Sequence, residues 1–115
     1  MRRGDVWRVD LEPVHVGEAD RTRPAVIVSN DRANAAVARL GRGVVTVVPL
    51  TSNVDRIYPF QVLIEVAHSG LTVASKAQAE QVRSIAAQRL VTRLGRISPA
   101  ELNALDDALR LHLSL

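Results

Sequence analysis

The sequence predicts a mainly β protein with α (α+β): a small, strongly curved antiparallel barrel with one helix packed against it. Three observations lead there. Five or six short apolar runs rich in valine and isoleucine recur along the 115 residues, broken by Pro, Gly, Asn and Asp. Residues 98–115 carry helix-start signals and helically spaced leucines. Aromatic residues make up only 3% of the chain, so one core of Val, Leu, Ile and Ala must hold a single domain spanning 1–115.

DVWRVDL (5–11) is the first strand, with Val6, Trp7, Val9 and Leu11 apolar. EPVHVGEADRTR (12–23) is polar and holds Pro13 and Gly17, which marks a loop. Loops of that length in a compact domain are often functional. PAVIVSN (24–30) is a continuous apolar run of the kind buried on both faces of a sheet, and predicts a second strand. DRANAAVARLG (31–41) suits a short helix or structured loop closed by Gly41. GVVTVVPLT (43–51) predicts a third strand that stops near Pro49. SNVDRIYP (52–59) is a loop, FQVLIEV (60–66) a fourth strand and HSG (68–70) a turn. LTVASKAQAEQVRSI (71–85) reads as one or two further strands, although its alanines also permit a helix. RLVTRLGRI (89–97) gives a last short strand. In SPAELNALDDALRLHLSL (98–115), Ser98 is an N-cap, Pro99 takes the first helical position and Glu101 completes a capping box. Leu102, Leu105, Leu109 and Leu113 then recur on one face.

Hydrophobic residues make up 47% of the chain, which excludes a disordered one. The net charge is +3, and Lys76 is the only lysine among 15 basic residues. Arginine's rigid fork of donors matches phosphate and carboxylate oxygens. An arginine excess therefore points to nucleic acid or an acidic partner, although arginine also tracks GC-rich coding. The absence of cysteine excludes disulfides, thiol nucleophiles and cysteine-ligated metal, and fits a reducing cytoplasm. MRRGDVW has a positive start without an apolar h-region, so it is not a signal peptide. No apolar run approaches membrane-spanning length. The expectation is a cytoplasmic protein with no membrane segment.

The histidines, His15, His68 and His112, lie at no metal-binding spacing and have no acidic cluster beside them. No GxSxG and no phosphate-loop motif occurs. No metal and no cofactor is expected. What remains is arginine and hydroxyl chemistry at strand ends. Arg23 enters the second strand and Thr51 ends the third, and in a curved sheet such ends converge on one rim. There an arginine can neutralise charge on a phosphorane-like transition state, and a threonine can donate to the same oxygens. RNA cleavage by the substrate's own 2′-hydroxyl needs little more, because the nucleophile is built into the RNA. From spacing alone, Arg23 reads first as a surface cation and Thr51 as an ordinary strand-end turn residue.

RRGDVWRVDLEP followed by RPAVIVSND resembles the opening of the MazF/PemK family, the toxins of bacterial toxin–antitoxin pairs. VVPLTSN, YPFQV, AEQVRSI and LGRIS resemble its later blocks, in the same order and over nearly the whole chain. The resemblance implies an SH3-like barrel with helices, a homodimer, and metal-independent, sequence-specific cleavage of single-stranded RNA. It assigns the catalytic arginine to Arg23 and the catalytic hydroxyl to Thr51. Glu18 falls in the loop that contacts substrate in related toxins, and Ser52, Asn53 and Gln81 are candidate RNA contacts. Many relatives carry a Gly-Ser-Glu-Gln-Gly type of loop before the arginine. Here VGEADRTRP keeps Gly17 and Glu18 without the Ser and Gln, and brings His15, Asp20 and Arg21 instead. Arg21 becomes a candidate RNA contact, and His15 either a general acid or base or a solvated loop histidine. Tyr58 is the aromatic best placed to meet a base, with Phe60 and Trp7 expected in the core. A cognate MazE-like antitoxin with an acidic, partly disordered tail would occupy the RNA path. Two other readings compete: a CcdB-like toxin that binds gyrase without nuclease activity, and a plain binding module.

Overall fold

The computed structural model describes residues 1–11 and 22–115. Its elements are β1 (Asp5–Asp10), β2 (Thr22–Ile27), α1 (Asp31–Leu40), β3 (Val44–Thr51), β4 (Gln61–Ile64), β5 (Ser75–Gln78), β6 (Arg83–Ala86), β7 (Leu90–Arg96) and α2 (Pro99–Leu113). Three-residue 3-10 turns, Ala79–Gln81 and Ala87–Arg89, precede β6 and β7. The α+β reading with a terminal helix holds. No helix among the described residues is long and apolar enough to cross a membrane.

The seven strands form one antiparallel sheet in the order β4-β5-β3-β2-β1-β7, and β6 also pairs with β3. β3 is the branch point. Val44–Val47 pair with β6, while Leu50 and Thr51 pair with β5. Pro49 stands between these two partners, where the ladder does not depend on an N–H from its ring nitrogen. The strand therefore runs through Pro49 and ends at Thr51, as the 43–51 run predicts.

The expected barrel is not closed. β4 and β7 end the sheet and share no ladder. The turn after β4 bridges them with one backbone bond, the Arg96 N–H donating to the His68 carbonyl at 2.8 Å. Two glycines permit this approach: a Cβ on Gly95 would collide with the His68 carbonyl, and one on Gly70 with the Leu94 carbonyl. Gly70 also has a φ of +77°, which only glycine adopts freely. Curvature comes partly from two register shifts where β1 meets β7, between Val6 and Trp7 and between Arg8 and Val9. Such bulges increase the local twist of a strand pair.

β2 is buried on both faces, with Ala25, Val26 and Ile27 all inaccessible. Its continuous apolar run is explained by two clusters. Val6, Val26, Val48, Leu50, Ile64 and Ala77 meet Leu105 and Ala108 of α2 on one face. Val9, Ala25, Ile27, Val45, Val47 and Ile85 meet Trp7 and Val37 of α1 on the other. Both helices are capped as their sequences require. Asn30 accepts from the Ala33 N–H and Gly41 closes α1 in the left-handed region. Ser98 and Glu101 form the reciprocal capping box of α2. The leucine stripe is buried at Leu105 and half-buried at Leu102 and Leu109, but Leu113 is exposed beyond the edge of the core.

Residues 71–85, read ambiguously from sequence, divide into β5, a 3-10 turn and β6. The alanines do not make a helix because Ala77 and Ala79 are needed as small core residues beneath α2. The first turn of the chain is held by charge. Asp5 is buried and accepts from the Arg2 N–H at 2.9 Å and from Arg96 at 3.0 Å, with Arg93 also within 3.4 Å. Burial raises the Asp5 carboxyl pKa, but hydrogen bonds from Arg93, the Arg2 amide and Arg96 outweigh it and hold the pKa below its ordinary value. Asp31, at the start of α1, is lowered too, chiefly by the Arg3 N–H that donates to it at 2.6 Å.

Candidate active site

The sheet places the two sequence-derived candidates across one strand pair. β2 and β3 are aligned as Ala25–Pro49, Val26–Val48 and Ile27–Val47. Continuing that register by two residues brings Arg23 opposite Thr51. Arg23 is flanked on its other side by Val9 of β1, and Thr51 by Lys76 of β5. Side chains alternate across the pleat, so Arg23, Thr51 and Lys76 leave the same face of the sheet.

A cleft of about 430 Å³ opens where these strands end, lined among others by Arg8, Thr22, Arg23, Pro24, Thr51 and Ser52. It wraps around the strand ends, so residues from both pleat faces reach it. Arg8 and Pro24, a cross-strand pair, come from the face opposite Arg23. Arg8 Nη1 lies 3.4 Å from the Thr22 hydroxyl. The cleft thus carries two guanidinium groups. Arg23 is exposed and has no carboxylate partner among the described residues. An exposed guanidinium can take an anion in bidentate fashion.

Thr51 is half-buried, and its Oγ1 accepts from the Asn53 N–H at 3.3 Å. That bond uses an oxygen lone pair and leaves the hydroxyl proton available to a substrate oxygen. Asn53 in turn accepts from the Asp55 N–H at 3.3 Å, so the chain after β3 leaves in two consecutive side-chain-stabilised turns.

The other candidates separate. Ser52 lines the cleft. Asn53 is exposed beside it and holds Thr51 through its backbone. Gln81 is exposed on the 3-10 turn after β5 and does not line the cleft. His15, Glu18 and Arg21 lie outside the described residues. His68 sits in the turn between β4 and β5, and His112 is exposed on α2.

The aromatic expectations need correction. Phe60 is only half-buried and stacks parallel on Tyr58, with ring centroids 5.4 Å apart and planes 5° apart. The Arg56 guanidinium lies 4.7 Å over the Tyr58 ring. Phe60 therefore belongs to a surface stack, not to either core. Trp7 packs against the second cluster as expected, but its indole N–H has no acceptor among the described residues. Arg8 and Thr22 escaped the sequence reading. The available signal was pairing: an arginine on β1 one strand away from the residue after Arg23.

A sequence model described as PemK-like, MazF-like toxin of type II toxin–antitoxin system matches residues 2–113. The chain belongs to the PemK/MazF toxin family. Endoribonuclease MazF9 of Mycobacterium tuberculosis is 62% identical over 115 residues, covering all of this chain and 98% of that one. Among solved structures, an endoribonuclease in complex with its cognate antitoxin from a mycobacterial species superimposes with a TM-score of 0.76 at 28% identity. That match covers 100% of this chain and 96% of the other. A MazE–MazF complex from Deinococcus radiodurans matches with a TM-score of 0.78 at 23% identity, over 100% of this chain and 96% of that chain, which supports the fold alone. The PemK/MazF fold here is thus an open, curved sheet with a terminal helix, and its rim carries Arg23 and Thr51.

Proposed function

We propose that the chain is the toxin of a type II toxin–antitoxin pair and acts as a sequence-specific endoribonuclease on single-stranded RNA. The observation that carries this reading is the β2–β3 register, whose continuation sets Arg23, without a carboxylate partner among the described residues, across from the Thr51 hydroxyl at a rim cleft. Family membership and the endoribonuclease relative at 62% identity support it.

The chemistry follows from the groups available. The RNA 2′-oxygen attacks the adjacent phosphorus, a bond to the 2′-oxygen forms, and the bond to the 5′-oxygen breaks. One proton leaves the 2′-hydroxyl and one reaches the departing 5′-oxygen. The products are a 2′,3′-cyclic phosphate and a 5′-hydroxyl. Arg23 meets the non-bridging oxygens as charge gathers on them, and Thr51 donates to the same oxygens. The step is metal-independent, needs no cofactor and draws its nucleophile from the substrate. His15 is the candidate acid or base; Glu18, Arg21, Ser52, Asn53 and Gln81 are candidate contacts to RNA.

Cytoplasmic action and inhibition of translation follow from an RNA target. A cognate MazE-like antitoxin fits the same reading, since one similar solved structure is an endoribonuclease in complex with its cognate antitoxin. An acidic tail would meet the Arg8 and Arg23 guanidinium groups in the cleft. A homodimer belongs to the proposal, and a solution mass equal to one chain at micromolar concentration would count against it.

The test is cleavage of a long single-stranded RNA in EDTA by wild type and by Arg23→Ala, with fragment ends mapped. Discrete EDTA-resistant cuts with 5′-hydroxyl ends, lost in the variant, are expected. A folded wild type that cuts no RNA while inhibiting gyrase would put the CcdB-like reading in its place.

A further inference from the structure

Lys76 is the chain's only lysine, and it is 8% exposed. It sits on β5 directly opposite Thr51 on one side and Leu63 on the other. Directly opposed residues of antiparallel strands have Cβ atoms about 5 Å apart, so the Lys76 stem leaves the sheet beside Thr51. Its ammonium has no carboxylate partner among the described residues. Instead Nζ donates to the Arg56 carbonyl at 2.7 Å and lies 5.9 Å from the Tyr58 ring centroid.

A buried cation without a counter-anion is costly, so this placement is maintained against a penalty. What it achieves is attachment. The segment between β3 and β4 leaves the sheet at Thr51 and returns at Gln61. The Arg56 side chain covers Tyr58, and Tyr58 stacks on Phe60. The Gln61 side chain accepts from the Tyr58 N–H at 3.1 Å and donates to Glu80 at 2.7 Å, fixing the returning end. Lys76 fixes the middle from below, through a main-chain carbonyl. A lysine suits this position because a single compact donor meets a single carbonyl. A guanidinium would bring five N–H donors to a buried position where the lysine ammonium meets one carbonyl, that of Arg56.

We propose that Lys76 is a positioning residue for RNA cleavage. Its ammonium pins the 52–60 segment to β5, so that Thr51 and the Arg56–Tyr58–Phe60 stack form one preformed surface for the nucleotide beside the cut. The proposal rests on the reading of Arg23 and Thr51 as the cleaving pair.

The absence of cysteine allows a direct test. Lys76→Cys, alkylated in denaturant with 2-bromoethylamine and refolded, regains an ammonium on a stem of lysine length. The same variant alkylated with 1-bromopropane regains the stem without the charge or donor. Lys76→Arg keeps a charge without the compact donor. Each is compared with wild type by thermal melting and by kcat and KM on a short RNA containing the mapped cut site. The aminoethylated protein is expected to cut like wild type. The propylated protein is expected to fold, but with kcat/KM at least tenfold lower and cuts spread over more sequences; Lys76→Arg is expected not to recover. Equal cleavage by both alkylated forms would overturn the proposal, and so would full activity of Lys76→Arg, which would make charge alone sufficient. Arg23→Ala is the control on the underlying reading. Its loss of cleavage alongside an active propylated protein overturns only the role of Lys76, whereas an active Arg23→Ala removes the cleaving pair itself.

Discussion

Arg23 and Thr51 make different demands on a substituted side chain. Thr51→Val keeps the β-branched shape and the strand, and removes only the hydroxyl. It is expected to lower kcat by about 100- to 1,000-fold with little change in KM, as loss of one transition-state donor does. A single-turnover time course on the mapped RNA checks this; a KM effect alone would make Thr51 a ground-state contact. At the other end of β1, Asp5 governs stability instead of chemistry. Its carboxyl is lowered by Arg93, Arg2 and Arg96 despite burial, so its contribution is present above the ordinary carboxylate value of 3.8 and is lost as pH falls through the lower folded value. Asp5→Asn is expected to destabilise by about 1–3 kcal/mol at pH 7. In urea melts from pH 7 to pH 2 the gap to wild type should close on the acid side; a gap constant with pH would refute the linkage. Residue chemistry was partly legible in advance. Arg23 and Thr51 could be named because a proline and a turn mark the strand ends. The partnership of Thr51 with Lys76 could not, since nothing local in SKAQ fixes its register against a strand 25 residues earlier.

Elements show the same division. The start of α2 was readable to the residue because its capping box and first-turn proline are local, while its end at Leu113 was not. Ser98→Ala should therefore cost about 1 kcal/mol in urea unfolding and leave cleavage by the folded protein unchanged. A larger loss would mean that Glu101, which also accepts from the Glu65 N–H at 2.8 Å, is disturbed with it. β2 was readable because a run buried on both faces needs no alternation. Residues 71–85 were read as one or two strands, but with a helix left open, because two short strands joined by a 3-10 turn have no period long enough to settle against alanine's helical preference. Their fate is decided by β3, which offers one edge to both. Pro49 alone could not place the end of β3 for a related reason: whether a proline ends a strand depends on which neighbour needs its N–H, and that is a property of the sheet.

Across the whole molecule the net charge is a modest +3, and Arg8 and Arg23 line one cleft together. Binding to RNA should weaken as salt rises, with a log–log slope of about −0.7 per phosphate contacted. Arg23→Ala is expected to make that slope shallower by about 0.7, measured by anisotropy on an RNA carrying a 2′-deoxy residue at the cut site. An unchanged slope would place Arg23 away from phosphate. The open barrel was beyond sequence reading, because closure depends on whether the two end strands meet. Here the glycines of two distant segments let a turn do that work in place of a ladder.

That turn has a consequence for how the molecule breathes. β2 amides lie between two strands and under two cores, so they should exchange with deuterium only through global unfolding. The Arg96 amide is held by a single carbonyl of a short turn. It should exchange through a smaller opening, with a free energy below that of the β2 amides. The fold then has a hinge line built into it, at which β7 and its partner β1 can part from the β4 end while the centre of the sheet stays protected.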